Sequence, residues 1–82
     1  MNFKTIHIQY FAVLREQRGL SQETVTTSAQ TPDDLYKELQ KKYNFQIPKG
    51  LLKVAVNNEF KDWNTPIRDK DAVVFIPPVA GG

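Results

Sequence analysis

The segment Ala72–Gly82, AVVFIPPVAGG, decides the reading of this 82-residue chain. Its first five residues, AVVFI, are an uncharged apolar run dominated by β-branched side chains. Such a run predicts a central strand buried on both faces. Pro77-Pro78 then ends pairing, because proline has no N–H to give to a sheet ladder. Gly81-Gly82 would lose much conformational entropy on ordering, so residues 79–82 are expected to form a flexible tail on a domain spanning 1–78. Two glycines after such a strand suit a terminal carboxylate that must enter a channel too narrow for side chains.

The strand needs neighbours, and the rest of the chain supplies them. FKTIHIQYF (3–11) alternates, with Ile6, Ile8 and Tyr10 on one side and Thr5, His7 and Gln9 on the other, the period of a half-buried strand. His7 falls on the solvent side. FAVLREQRG (11–19) is rich in helix formers, and Gly19 stands where a left-handed residue stops a helix. SQETVTTSA (21–29) suits a strand antiparallel to the first. TPDDLYKELQKKY (31–43) carries the clearest helix signal. Thr31 can cap, Pro32 takes the first helical position, and Asp33 and Asp34 favour the positive helix start. Leu35, Tyr36, Leu39 and Tyr43 make the apolar stripe. The two aspartates are capping residues on this reading, not a catalytic pair.

LLKVAVNNEF (51–60) alternates again, with Leu52, Val54 and Val56 inward and Asn57-Asn58 as a turn that tolerates positive φ. Trp63 and Ile67 are expected to pin the polar stretch DWNTPIRDKDA (62–72) to the core. The order of elements calls for an α+β fold, a mixed sheet with one main helix packed across it and the last strand central beside the first. That layout is a β-grasp.

Composition excludes several function classes. The absence of cysteine removes disulfides, thiolate metal sites and a cysteine nucleophile. A single histidine without carboxylates at ligand spacing makes a metal site unexpected. The net charge of +2 comes from dispersed lysines and arginines, with no run longer than two, so nucleic acid is not an expected partner. The first residues contain no long apolar run, so neither a signal peptide nor membrane association is expected, and the location should be cytoplasmic.

Four stretches, YFAVLRE, TPDDLYKEL, AVNNEF and VVFIPPVAGG, carry a resemblance that spans essentially the whole chain. Together they resemble the ubiquitin-like sulfur carriers, and within them the small subunits of molybdopterin synthase. One departure is visible: Asp69-Lys70-Asp71 stands where such proteins usually read Asp-Gly-Asp, and a different turn is expected there. The resemblance implies that the carrier has no catalytic side chains of its own. An E1-like adenylating enzyme would activate the Gly82 carboxylate with ATP, the chain itself binding no cofactor. A sulfurtransferase would supply sulfur, converting Gly82 to a thiocarboxylate. The tail, Val79, Ala80, Gly81 and Gly82, would insert into the large subunit of molybdopterin synthase within a heterotetramer and give its sulfur to the dithiolene of molybdopterin. Phe11, Arg15, Phe60, Ile76, Pro77 and Pro78 would form the partner interface, if the three strand ends bearing Phe11, Phe60 and Ile76 lie side by side. Three other readings share the pattern. One is a sulfur carrier for thiamine or cysteine biosynthesis, another a protein modifier conjugated through Gly82. The last is a binding module in which the two glycines are incidental.

Overall fold

A computed structural model describes residues 3–78. The elements follow as β1 (Lys4–Tyr10), α1 (Ala12–Arg18), β2 (Gln22–Thr27), α2 (Pro32–Tyr43), a single 3-10 turn (Lys49–Leu51), β3 (Lys53–Val56), β4 (Glu59–Lys61) and β5 (Ala72–Ile76). The five strands form one mixed sheet in the order β2-β1-β5-β3-β4. β5 is central, parallel to β1 and antiparallel to β3, while β2 and β4 form the two antiparallel edges. This is the α+β β-grasp architecture that the order of sequence signals calls for.

Period-two alternation sets one face of the sheet against α2. Ile6, Ile8 and Tyr10 of β1, Val54 and Val56 of β3, and Val73 and Phe75 of β5 are all buried. Leu35, Tyr36 and Leu39 of α2 are buried among the same cluster, with Tyr43 half-buried at its margin. Aromatic rings tie the layers together: Tyr36 lies against Phe75 at 5.2 Å between centroids, and Trp63 stacks on Phe75 at 5.8 Å. Ile67 is buried as well, so both expected loop anchors reach the core.

Local chemistry explains where the elements start and stop. The Thr31 hydroxyl accepts from the Asp34 N–H at 3.2 Å, and the Asp34 carboxylate accepts from the Gln30 N–H, so the start of α2 is capped reciprocally. Gly19 takes φ 82°, ending α1 as its position in the sequence implies. Asn57 and Asn58 both have positive φ, 52° and 71°, as a two-residue hairpin turn between β3 and β4 requires.

Two expectations are corrected. AVVFI is central but not covered on both sides. Val73 and Phe75 are buried, whereas Ala72, Val74 and Ile76 are only partly so. The reason is that α2 forms a layer on one face alone, leaving apolar side chains of the other face open. The corner at Asp69-Lys70-Asp71 is also not a turn that avoids the glycine conformation. Lys70 adopts φ 71°, a left-handed backbone that glycine favours, and its N–H donates to the Thr5 carbonyl at 2.6 Å.

Candidate docking site and tail root

The uncovered face is organised by cross-strand register. Gln9 of β1 pairs with Val74 of β5, Val74 pairs with Ala55 of β3, and Ala55 pairs with Phe60 of β4. These four side chains therefore stand in one row across the sheet, on the side away from α2. Ala55 is the small member of the row. It forms a dip flanked by Phe60 and Val74. Two residues further along their strands come Phe11, just past the end of β1, and Ile76, the last residue of β5.

These residues line one shallow concavity of about 260 Å³, formed by Gln9, Phe11, Ala55, Asn58, Phe60, Val74 and Ile76. Its two phenylalanines are open to solvent, Phe60 at 70% and Phe11 at 41% exposed, while Val74 and Ile76 are half-buried and Ala55 is buried. The geometry thus brings Phe11, Phe60 and Ile76 together. Large exposed apolar side chains that share one patch mark an interaction surface more than a folding requirement. Arg15 is exposed on α1, one turn beyond Phe11. Pro77 is buried and Pro78 exposed at the end of the described residues. Val79, Ala80, Gly81 and Gly82 lie outside the described residues. The sequence reading missed Gln9, Ala55, Asn58 and Val74. The signal for Val74 was present, since it alternates with the core residues Val73 and Phe75, but an unbroken apolar run conceals which face is covered.

A second cluster adjoins the Phe11 corner. The Tyr10 hydroxyl donates to Glu23 Oε2 at 2.6 Å. Arg18 donates to both oxygens of the same carboxylate, from Nε at 2.8 Å and from Nη2 at 2.9 Å. Its guanidinium also lies 3.9 Å from the centre of the Tyr43 ring. The Arg18 hydrogen bonds hold the Glu23 carboxyl below its ordinary range, helped by the Tyr10 hydroxyl against the opposing effect of burial. Burial, then the adjacent carboxylate, pushes the Tyr10 phenol up, so it remains a donor. At the far end of the molecule, Asp33 is bound by Lys49 at 2.6 Å and Lys37 at 3.1 Å, which lower its pKa in that order. Among the described residues no grouping of His, Cys, Asp and Glu is arranged to hold a metal ion, and no helix is long and apolar enough to cross a membrane.

A β-grasp sheet with one helical layer and an open apolar concavity beside the end of its last strand defines a ubiquitin-like domain. The chain belongs to the ThiS family, whose profile matches residues 8–82. It is 30% identical over 80 residues to the molybdopterin synthase sulfur carrier subunit of Escherichia coli, covering 94% of this chain and 99% of that protein. A solved complex of subunits 1 and 2 of the molybdopterin-converting factor from Helicobacter pylori contains a chain 28% identical to this one. The two superpose with a TM-score of 0.65 over 95% of this chain and 99% of that one. The small archaeal modifier protein 1 of Methanosarcina acetivorans shares the fold alone, at 21% identity and a TM-score of 0.78 over the full length of both chains.

Proposed function

We propose that this chain is the sulfur carrier subunit of a molybdopterin synthase, with Gly82 as the sulfur-bearing residue. The observation that carries the reading is the position of the exposed Phe11–Phe60–Ile76 concavity. It opens beside the C-terminal end of β5, the strand that leads through the buried Pro77 to the tail. A surface placed there can dock a partner while the tail reaches into it. Four residues, Val79–Gly82, span roughly 13–14 Å when extended. A buried proline at the root limits the conformations from which the tail must be drawn, so less entropy is lost on insertion.

The chemistry follows from a carboxylate being a poor electrophile. An adenylating enzyme would transfer AMP from ATP to the Gly82 carboxylate with release of pyrophosphate. The persulfide sulfur of a sulfurtransferase would then displace AMP to give an acyl disulfide. Attack by a second thiol on the S–S bond would release the terminal thiocarboxylate and leave a disulfide on the donor side. A chain without cysteine can carry sulfur in this way, since the sulfur resides on the backbone terminus. The large subunit would take the tail and pass the sulfur to the pterin precursor. The family match extends through residue 82, and the E. coli relative is a sulfur carrier of this synthase. The family match supports a sulfur carrier in general, and the relative supports the molybdopterin pathway over thiamine or cysteine biosynthesis.

ATP–pyrophosphate exchange with the cognate adenylating enzyme tests the activation step. The full chain should support exchange and a chain lacking Gly82 should not. Equal exchange by the two would overturn the assignment of Gly82.

A further inference from the structure

The seven residues of α1 are tied at both ends to one carboxylate. Tyr10, immediately before the Phe11 corner, donates to Glu23 at 2.6 Å, and Arg18, the last residue of α1, grips both oxygens of Glu23 at 2.8 and 2.9 Å. All three partners are largely withdrawn from solvent: Tyr10 is 1% exposed, and the Arg18 and Glu23 side chains 22% and 13%. Between the two anchored ends the chain turns sharply. Ala12 has φ 50°, a left-handed conformation that is unfavourable for a residue with a Cβ. The Phe11 carbonyl is held by the Leu14 N–H at 3.1 Å and the Arg15 N–H at 3.4 Å. Such a corner persists only where its surroundings over-determine it. Its product is the outward projection of Phe11 into the concavity with Phe60 and Ile76. Charge-assisted and bidentate bonds are the strongest available to side chains and the most directional.

We propose that Glu23 is a positioning residue for partner docking, closing a Tyr10–Glu23–Arg18 clamp that holds the strained Phe11–Ala12 corner and so presents Phe11 to the partner. The inference rests on the docking role given to the concavity under Proposed function. Glu23 itself touches no partner. It acts through the backbone geometry on either side of Phe11. The corresponding variant is Glu23→Gln, which keeps the shape of the side chain and removes its charge.

Two measurements separate the clamp from the docking reading. The first is native-state amide exchange in the free protein. In Glu23→Gln the Leu14 and Arg15 amides, both bonded to the Phe11 carbonyl, should exchange faster, while amides of β5 keep their protection. Unchanged exchange at Leu14 and Arg15 overturns the clamp whatever the partner does. The second is affinity for the large subunit, measured for Glu23→Gln, Phe11→Ala and the double variant. Glu23→Gln should weaken binding about three- to tenfold, in the lower part of the range seen for residues of one coupled network. It should add nothing further once Phe11 is alanine. Equal weakening in both backgrounds, or none in either while Phe11→Ala does weaken binding, overturns the positioning role. If Phe11→Ala leaves binding intact, the docking reading fails and takes the role in binding with it, even where exchange shows the clamp.

Discussion

Tyr36 of α2 rests its ring against Phe75 of β5, centroids 5.2 Å apart and planes inclined at 53°, and its hydroxyl donates to the Ile47 carbonyl at 2.6 Å. One side chain thus joins the helix, the central strand and the loop that follows the helix. The core of so small a domain depends on few such contacts. A chain of this size buries only about 60–65% of its unfolded surface.

Leu39 lies one helical turn from Leu35 and Tyr36 and is 1% exposed. Leu39→Ala should cost about 2–5 kcal/mol, a large share of the roughly 5–15 kcal/mol that holds most domains folded. A thermal melt should move down by about 8 °C or more. An unchanged melt would mean that α2 packs a different face on the sheet.

Phe60 gives the opposite expectation. It is 70% exposed on the edge strand, so Phe60→Ala should leave stability within about 0.5 kcal/mol. Its loss should weaken binding to the large subunit and to the adenylating enzyme alike, by about tenfold or more if it is an interface anchor. The two partners should also compete, because one concavity cannot serve both at once. Titration of each partner against the same variant, with a melt alongside, measures all three quantities.

Lys70 offers a stabilising change. Its φ of 71° costs an L-residue about 1–2 kcal/mol, while glycine adds roughly 0.5–1 kcal/mol of unfolded-state entropy. Lys70→Gly should therefore raise stability by about 0.5–1 kcal/mol, and Lys70→Val should lower it. Denaturant midpoints of the two variants, compared with the parent chain, give the sign directly.

Acid stability should report the two bound carboxylates. Glu23 and Asp33 both have pKa values lowered in the folded state, by Arg18 and by Lys49 respectively. Their contribution is present in full above the ordinary carboxylate values of about 4.3 and 3.9. It is lost as the pH falls through the lowered folded values, because the unfolded chain then binds more protons. Melting temperature should thus be level from pH 7 to about 5 as far as these two groups are concerned and fall below that. Glu23→Gln should flatten the fall, and a parallel curve in that variant would contradict the assignment.

Much of this arrangement is legible in the chain because it is local. The Thr31-Pro32 start of α2, the Asn57-Asn58 hairpin, Gly19 and the alternation of Ile6, Ile8 and Tyr10 each depend on neighbours a few residues away. The open face is not legible in AVVFI, because an apolar run looks the same whether one side or both are covered. The cross-strand row from Gln9 to Phe60 depends on registers between distant strands. The clamp on Glu23 joins β1, α1 and β2 through side chains with no motif of their own. Lys70 was misread for a related reason: its residue type argues against a left-handed backbone, and the Thr5 carbonyl 65 residues earlier helps hold it there.

Intact mass is the most direct test of the central claim, that Gly82 carries sulfur. The full chain, incubated with the cognate adenylating enzyme, ATP and a sulfurtransferase with its sulfur donor, should gain the increment of one oxygen replaced by one sulfur. The increment should map to the C-terminal peptide, and the chain lacking Gly82 should not gain it. No increment on the full chain under conditions that charge a known carrier, or the same increment on the truncated chain, would contradict the account.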